Sequence, residues 1–217
     1  MVPLVPVVIV PVLTEHHRVD AMLDSFDGRI GDLVVIDNGN NSYWEPRTEK
    51  AKRVFHYRIP CNLGVAASWN MGIKATCSAS GWLVVNHDVV FGTKAVEDIF
   101  LQASYSNLVL SGKPPWSCFW LGSQVVRKVG LFHEGFHPAY FEDDDFARRV
   151  EAAGLPIRRP GIPVRHDNSS TIQVPKYGER NAHTFVKNSD YYAAKAFRGD
   201  MSEGRWSLRR RRELSWD

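Results

Sequence analysis

Four short apolar runs constrain the fold of this 217-residue chain more than any other feature. They occupy residues 7–10, 33–36, 54–57 and 82–85. The runs at residues 7–10 and 33–36 consist of Val, Leu and Ile, which is typical of strands that are covered on both faces. Residues 14–26 and 65–75, which lie between these runs, carry apolar side chains at helical spacing. The alternation predicts an α/β fold with a mostly parallel, doubly wound sheet flanked by helices.

Shorter segments make up the second half of the chain. They are predicted as two isolated strands and a helix, at residues 108–110, 118–121 and 123–129. Residues 141–153 are predicted as a longer helix, because acidic residues fill its first turn and Gly154 follows its end. Beyond Tyr192 the sequence has no further periodic pattern.

Size and composition fit one ordinary globular domain with a charged end. A chain that is 44% hydrophobic and 24% charged has none of the features of a disordered protein. We predict a single domain over residues 1–195 and a basic tail over residues 196–217. The four arginines at 209–212 exceed the net charge of +3, so the domain itself is close to neutral. The tail is suited to an anionic surface or to a partner subunit of a homo-oligomer, and the alternative is a solvated end.

The cysteines and the first residues bear on the compartment. Three scattered cysteines without metal-ligand spacing predict a reduced, cytoplasmic protein. The apolar stretch at residues 2–13 contains three prolines and is too short to cross a bilayer. We therefore expect a buried strand there, and no integral membrane segment.

Polar side chains follow three of the four predicted strands. They stand at residues 11–15, 37–41 and 86–88. Ligands of open α/β sheets bind at the carboxyl ends of the strands, so we expect these residues to surround one site. No glycine-rich phosphate turn follows the first strand, which argues against a dinucleotide-binding fold. Asp88 is suited to a hard divalent cation on ligand phosphates, and the alternative is that Asp37 and Asp88 only cap turns.

The acidic run at residues 142–145 is the strongest single signal. The helix dipole favours one or two acids at a helix start, and an excess of like charges indicates function. Helical geometry allows at most two of these acids to face one cleft. A solvated helix start is the alternative. Downstream, His166 follows a short predicted strand, where it is either a metal ligand or a structural hydrogen-bonding residue.

Five segments, taken in their order along the chain, together resemble the family 2 glycosyltransferases of the GT-A fold. Residues 7–11 match the family's first strand and loop, and residues 36–40 match its VDNxS turn. Residues 62–72 match its NLGxAxxxNxG segment, residues 86–88 its DxD motif and residues 142–149 its EDxDxxxR helix. The resemblance extends from Val7 to His166, and it implies a GT-A domain. It also implies a nucleotide-sugar-binding half at residues 1–92 and an acceptor and catalytic half, with an acceptor-side cap, at residues 93–195.

The resemblance further implies a nucleotide-diphosphate sugar donor, linked to UDP, GDP or dTDP. The implied donor-binding residues are Pro11, Val12, Asp37, Asn62, Asn70, Asn86, His87 and Asp88. Among them, Asp37 is expected to contact the nucleoside base and Asn62 to shape the donor pocket. Asp88 and His166 are expected to hold Mn²⁺ or Mg²⁺ on the diphosphate.

For the reaction, the resemblance implies that Asp143 is the general base of an inverting transfer to an acceptor hydroxyl. A weak hydroxyl nucleophile needs such a base, and neighbouring carboxylates raise the pKa of this one. The acceptor is expected to be a glycan, a lipid-linked carrier or a protein. The implied acceptor-side residues are Trp120, Glu142 and Asp145. Aromatic residues that precede the acidic helix either stack on sugar rings or pack in the core.

The sequence departs from the family pattern at the DxD motif, where Asn86 replaces the first aspartate. A metal there loses one anionic ligand. Two other functions remain open. A sugar-phosphate nucleotidyltransferase has a related architecture, but its glycine-rich loop with Arg and Lys is absent after Val10. The second open function is that of a non-catalytic protein on the same scaffold that binds carbohydrate or nucleic acid.

Overall fold

The computed structural model describes residues 3–166 and 175–203. The strands in these residues are β1 Leu4–Val12, β2 Arg29–Asp37, β3 Ala51–Arg58, β4 Gly81–Val85, β5 Val89–Phe91, β6 Leu108–Leu110, β7 Cys118–Gly122, β8 Ile157–Arg158 and β9 Val164–His166. The helices are α1 His17–Ser25, α2 Val65–Ala75, α3 Ala95–Gln102, α4 Ser123–Val129, α5 Glu142–Ala152 and α6 Pro175–Phe197. The arginines at 209–212, and with them the predicted contacts of the tail, lie outside the described residues.

A seven-stranded sheet in the order β3-β2-β1-β4-β7-β6-β8 forms the centre of the molecule. The first four of these strands are mutually parallel, and β7 runs antiparallel to both of its neighbours. This arrangement confirms the predicted α/β class with a mostly parallel sheet. A second, two-stranded sheet pairs β5 with β9 in antiparallel fashion. It joins a strand from each half of the chain beside the main sheet.

The inner strands of the central sheet are buried on both faces, as their apolar composition predicts, whereas the edge strand β3 is half-buried or exposed along its length. Along β1, Val8 and Val10 pack in one layer with helices α1 and α3. Val7 and Ile9 pack in the opposite layer with helices α2, α4 and α5. Each fully buried Val or Ile side chain contributes about 1.5–3 kcal/mol. The two layers hold the carboxyl ends of the parallel strands in a fixed arrangement.

Helix α6 is the main element that the sequence pattern did not predict. Its contacts with the domain combine aromatic side chains, such as Tyr191 against Phe136, with polar ones. Asn188 donates to the carbonyl oxygen of Ala139 at 2.8 Å, and Lys195 is wholly buried. Hydrophobic periodicity detects a helix by its apolar stripe, so a helix with polar anchors gives a weak signal.

After α6 the chain remains attached to the domain. Arg148 donates to the carbonyl oxygen of Asp200 at 2.5 Å, and Glu203 accepts a hydrogen bond from the backbone amide of Leu131 at 2.7 Å. Contacts with the domain therefore continue beyond residue 195. No helix within the described residues is both long enough and apolar enough to cross a membrane.

Asp145 is the centre of a buried ionic group that joins α5 to α6. Its Oδ1 accepts a hydrogen bond from Lys195 Nζ at 2.7 Å, and its Oδ2 accepts one from Arg149 Nε at 3.0 Å. Arg149 also donates to the carbonyl oxygens of Val129 and Leu131. The three charged side chains are almost wholly buried. Their mutual pairing fixes the position of α5 relative to α6 and to the segment before it.

We expect Asp145→Asn to lower the free energy of unfolding by about 3–5 kcal/mol, because it leaves two cations buried without their carboxylate. Chemical denaturation measures this change. Asp144→Asn is the matched control, since it makes the same substitution at the next position, where the side chain is exposed. Its effect should stay within about 0.5 kcal/mol. Equal losses in the two variants would contradict the anchoring role of Asp145.

Candidate active site

A cavity of about 630 Å³ opens at the carboxyl ends of β1 and β4, between the two-stranded sheet and the start of α5. Many of the residues singled out in the sequence line it. These are Pro11, Val12, Asn62, Asn86, His87, Asp88, Glu142, Asp143 and His166. The structure therefore brings the candidate metal ligands and the candidate base to one cavity, although they come from opposite halves of the chain.

The pairing of β5 with β9 places His166 next to the strand-end acid. In this ladder Val89 lies opposite His166, so His166 is close to Asp88, which directly precedes the strand. His166 Nε2 lies 2.9 Å from Asp88 Oδ1 and 3.3 Å from the side-chain amide of Asn86. Burial raises the pKa of Asp88, but the hydrogen bond from His166 and the neighbouring histidines outweigh it, so the pKa lies below its ordinary value.

These three side chains fit a divalent cation. A carboxylate and an imidazole are both ligands of Mn²⁺, and an asparagine amide can present its oxygen to a metal. Asp88 and His166 converge on one point already, with the amide of Asn86 beside them. No group of three or more His, Cys, Asp or Glu side chains with metal-binding geometry occurs in the described residues. A cation here would take its other ligands from the bound substrate and water.

Three of the four consecutive acids line the cavity, where helical geometry predicted at most two. The prediction assumed that the cavity flanks the helix, whereas the amino-terminal end of α5 faces it. Side chains of a first turn surround the helix end, so Glu142, Asp143 and Asp144 all reach the cavity. Tyr140 and Phe141 have left-handed backbone angles, φ 75° and 72°, which turn the chain sharply into the helix.

The pKa values of these acids are raised. For Asp143 the main cause is burial, followed by the negative charge of Asp144. For Glu142, which is only 4% exposed, burial and then the charge of Asp143 hold the pKa well above its ordinary value. Burial alone also raises the pKa of Asp144. Raised pKa values make these carboxylates stronger bases than ordinary aspartate and glutamate side chains.

The NLG segment forms another wall of the cavity, and Asn38 holds it in place. Asn38 Oδ1 accepts a hydrogen bond from the backbone amide of Leu63, and Asn38 Nδ2 donates to Ser68 Oγ. Gly64, just before α2, has φ 81° and ψ 174°, a conformation that is essentially restricted to glycine. The next amide, of Val65, donates to the carbonyl oxygen of Pro138 at 2.8 Å and so joins this wall to the segment before α5.

Asp37 does not line the cavity. It is wholly buried, and its carboxylate accepts hydrogen bonds from the backbone amides of Gly39 and Asn41. The imidazole of His16 lies 2.7 Å from its Oδ1. Its neighbour Asn38 reaches the cavity instead. In this arrangement Asp37 shapes the turn, and its predicted contact with a nucleoside base stays a prediction.

Asn70, Trp120 and Asp145 are also absent from the cavity wall. Asn70 bonds through its amide to both backbone groups of Phe132. Trp120 is buried and donates to the carbonyl oxygen of Ser104, and its alternation along β7 points it to the face of the sheet opposite α5. Asp145 is enclosed by its cations. For all three the structure shows anchoring contacts rather than access to a ligand.

Several residues that line the cavity were not predicted from the sequence, or were predicted only with core packing as the alternative. Trp116 and Tyr140, from the aromatic group before the acidic helix, line the cavity, as does Arg159. Arg159 is exposed and lies 4.0 Å from Glu151. Arg159 directly follows the two-residue strand β8 and belongs to no motif, so the sequence gave no signal for it. Asn38 stands inside the recognised turn, and only the fold shows that it, rather than Asp37, faces the cavity.

Comparison with solved structures shows that this chain shares the GT-A fold with several glycosyltransferases. A mutant of Drosophila β1,4-galactosyltransferase 7 in complex with manganese, UDP-Gal and xylobiose superposes with a TM-score of 0.55 at 10% identity, over 80% of this chain and 74% of that one. GalNAc-T7 with UDP, GalNAc and Mn²⁺ gives 0.57 at 9% identity, over 75% of this chain and 43% of that one.

A third similar structure is TarS of S. aureus, with a TM-score of 0.54 at 14% identity, over 74% of this chain and 59% of that one. The chain thus spans about half of the solved chains of GalNAc-T7 and of TarS, the latter being its residues 1–349. No family model and no curated protein sequence matches the chain. At these identities the likeness establishes the GT-A fold, and membership of family 2 stays a prediction.

We expect Gly64→Ala to lower the free energy of unfolding by about 1–3 kcal/mol, because its backbone conformation is nearly closed to other residues. A Cβ there would also lie 2.7 Å from the carbonyl oxygen of Pro138. Gly161→Ala is the control, since a Cβ at that position meets nothing within 4 Å. Thermal and chemical unfolding measure both variants. A Gly64→Ala protein as stable as the control would contradict this account of the cavity wall.

Proposed function

We propose that this protein is an inverting glycosyltransferase that moves a sugar from a nucleotide-diphosphate sugar to an acceptor hydroxyl. One observation carries the proposal: a single cavity of a GT-A fold contains both the Asp88–His166 pair and the carboxyl group of Asp143. The first is suited to a metal on a diphosphate, and the second to proton transfer. The two chemical requirements of glycosyl transfer are a stabilised leaving group and an activated nucleophile.

Among donors linked to UDP, GDP or dTDP, the solved structures of similar fold favour a UDP-linked donor. The galactosyltransferase contains UDP-Gal with manganese, and GalNAc-T7 contains UDP with Mn²⁺. In this chain the donor would lie along the carboxyl end of β1, where Pro11 and Val12 line the cavity, with Asn62 on the opposite wall. Asn86 and His87 would face the diphosphate from the end of β4.

Asp88 and His166 would hold Mn²⁺ or Mg²⁺, with the amide of Asn86 beside them. When bound, such an ion supplies positive charge that stabilises the departing diphosphate. Replacement of the usual first aspartate by Asn86 leaves one carboxylate in this group, so the ion would depend strongly on substrate phosphates for its remaining ligands. The exposed guanidinium of Arg159 adds a further positive charge on the cavity wall.

Asp143 would act as the general base. Its carboxylate takes the proton of the acceptor hydroxyl as the hydroxyl oxygen forms a bond to the anomeric carbon. The bond from that carbon to the phosphate oxygen breaks on the opposite face, and its electron pair leaves with the nucleoside diphosphate. The configuration at the anomeric carbon is therefore inverted. The raised pKa of Asp143 makes its carboxylate a stronger base than an ordinary aspartate.

The acceptor would enter past Trp116 and Tyr140. Aromatic faces beside carboxylates suit a sugar ring, whose C–H groups pack on the ring while its hydroxyls bond to oxygen. The galactosyltransferase was solved with xylobiose, which supports a glycan acceptor ahead of a lipid-linked carrier or a protein side chain.

We expect Asp143→Asn to slow sugar transfer about 10²–10⁴-fold, because the amide cannot take a proton in the chemical step. Binding of the donor should remain near the wild-type level. Release of nucleoside diphosphate from UDP-, GDP- and dTDP-sugars with Mn²⁺ measures turnover, and calorimetry measures binding. Asp24→Asn, at an exposed position on α1, is the control. Full activity of Asp143→Asn would remove Asp143 from the role of base.

The same assay separates the two alternative functions. A wild-type protein that releases no nucleoside diphosphate from any donor would be the non-catalytic binding protein. Release of a sugar phosphate in the presence of pyrophosphate would instead indicate a nucleotidyltransferase. Either result would overturn the proposed glycosyl transfer.

We expect Asp88→Ala and His166→Ala each to weaken Mn²⁺-dependent binding of UDP, because each removes a metal ligand. Titration calorimetry with UDP in the presence and absence of Mn²⁺ gives the difference. Asp24→Ala, which removes a carboxylate far from the cavity wall, should bind as the wild type does. Unchanged Mn²⁺ dependence in both ligand variants would place the metal site elsewhere.

A further inference from the structure

Arg159 is a cation on the cavity wall to which the proposed reaction assigns no contact. It directly follows β8, and its side chain is more than half exposed. Among the described residues it forms a single ion pair, in which its Nη2 lies 4.0 Å from Glu151 Oε1. An exposed pair at this distance contributes little, because solvent screens both charges. The guanidinium therefore keeps most of its hydrogen-bonding capacity for a ligand.

The order of the strands separates Arg159 from the candidate metal ligands. Strands β7 and β6 lie between β4 and β8, and the carboxyl ends of β4, β6 and β8 point to the same edge of the sheet. Three strand spacings of about 4.8 Å put the backbone at Arg159 about 14 Å from the end of β4. Beyond that end the chain turns towards α1, since the charges of Glu15 and Arg18 act on His87, next to Asp88. Arg159 and Asp88 therefore belong to opposite ends of the cavity.

The guanidinium also points away from the candidate base. Its partner Glu151 is nine residues beyond Glu142 on α5, which is about 13 Å along the helix axis. Arg159 is thus beside the third turn of α5, whereas Asp143 belongs to the first turn. The cavity extends from the metal ligands, past the candidate base, to Arg159.

The stretch of wall between Asp143 and Arg159 is apolar and aromatic. In the order of the sheet, the connection from β6 to β7 lies between the ends of β4 and β8, and Pro115 and Trp116 of this connection line the cavity. Leu110, the last residue of β6, lines it as well. Surfaces of this kind pack against the C–H groups of a sugar ring. A sugar unit attached to the reacting one would lie over this part of the wall.

An arginine at the end of such a path is suited to an anion. Its guanidinium presents N–H donors in a planar fork, which matches the paired oxygens of a carboxylate or a phosphate. The donor diphosphate is not this anion, because it would be held with the metal near Asp88, at the other end of the cavity. The remaining substrate is the acceptor.

We propose that Arg159 binds an anionic group of the acceptor, a carboxylate or a phosphate, on a part of the acceptor that lies away from the attacked hydroxyl. This assignment rests on the proposed glycosyl transfer, and it names the acceptor class: an acidic glycan. The reacting sugar unit lies at Asp143, its neighbour packs on Trp116, and the anion of that neighbour reaches Arg159. Arg159 then determines specificity and takes no part in the chemical step.

Calorimetry with three matched disaccharides, with UDP and Mn²⁺ present, tests the contact without sugar transfer. Cellobiose is the neutral probe, cellobiuronic acid the carboxylate probe and cellobiose 6′-phosphate the phosphate probe. We expect the wild type to bind at least one anionic probe about tenfold more tightly than cellobiose at low ionic strength, because a charged hydrogen bond is gained. The better anionic probe identifies the source of the charge. The preference should fall between about 0.01 M and about 0.15 M salt, since the contact is exposed to solvent.

Three substitutions separate this role from a structural one. Arg159→Gln should abolish the preference and leave the affinity for cellobiose unchanged. Arg158→Gln is the matched control, because Arg158 is exposed on β8 and donates to Gln102 Oε1 instead of lining the cavity. Glu151→Gln removes the competing carboxylate and should raise the affinity for the anionic probe by up to about fivefold. In a transfer assay, Arg159→Gln should raise KM for the anionic acceptor and leave kcat near the wild-type value.

Three results would overturn the proposal. A wild type that binds both anionic probes no better than cellobiose has no anion site here. A preference that survives in Arg159→Gln belongs to another residue. Weaker binding of UDP or UDP-glucuronic acid by Arg159→Gln, with unchanged binding of the disaccharides, would place the guanidinium on the donor. If the wild type transfers no sugar to any acceptor, the proposed function fails, and the calorimetry still decides whether Arg159 forms an anion site.

Discussion

The buried pairing of Asp145 with Lys195 and Arg149 is the interaction on which the α5 side of the cavity depends. It fixes α5 against α6 and against the carbonyl groups of Val129 and Leu131. It also takes up the cations near the acidic run, so that the acids one turn earlier remain without a counter-charge. Glu142, Asp143 and Asp144 in contrast have raised pKa values. Four consecutive acids therefore occupy different environments within about one turn of helix.

The sequence predicted the framework well, because strand burial and helical spacing are local properties. Residues 65–75 and 123–129 are helices as expected, and the strand before His166 is present. It predicted the contents of the cavity only in part. A turn motif shows that Asp37 and Asn38 belong together, but which of the two faces the cavity depends on where His16 lies in the fold. Similarly, β7 must be placed in the sheet before Trp120 can be seen to point away from α5.

The site is assembled from segments far apart in the chain, and the small β5–β9 sheet is what joins them. It places His166 opposite Val89, so a strand end from the first half and a short strand from the second half present their side chains to the same point. The replacement of an aspartate by Asn86 is compatible with this arrangement, since the imidazole lies within 3.3 Å of the amide and 2.9 Å of the remaining carboxylate. Together these groups make a compact cluster that contains one carboxylate.

The hydrogen bond from the amide of Val65 to the carbonyl oxygen of Pro138 connects the wall at the start of α2 to the segment that leads into α5. Because both partners are main-chain groups, almost any side chain is compatible with the contact. The joint can therefore persist while the residues around it diverge, and it leaves no trace in an alignment. The two segments that form these sides of the cavity are therefore coupled through their main chains, whatever side chains they carry.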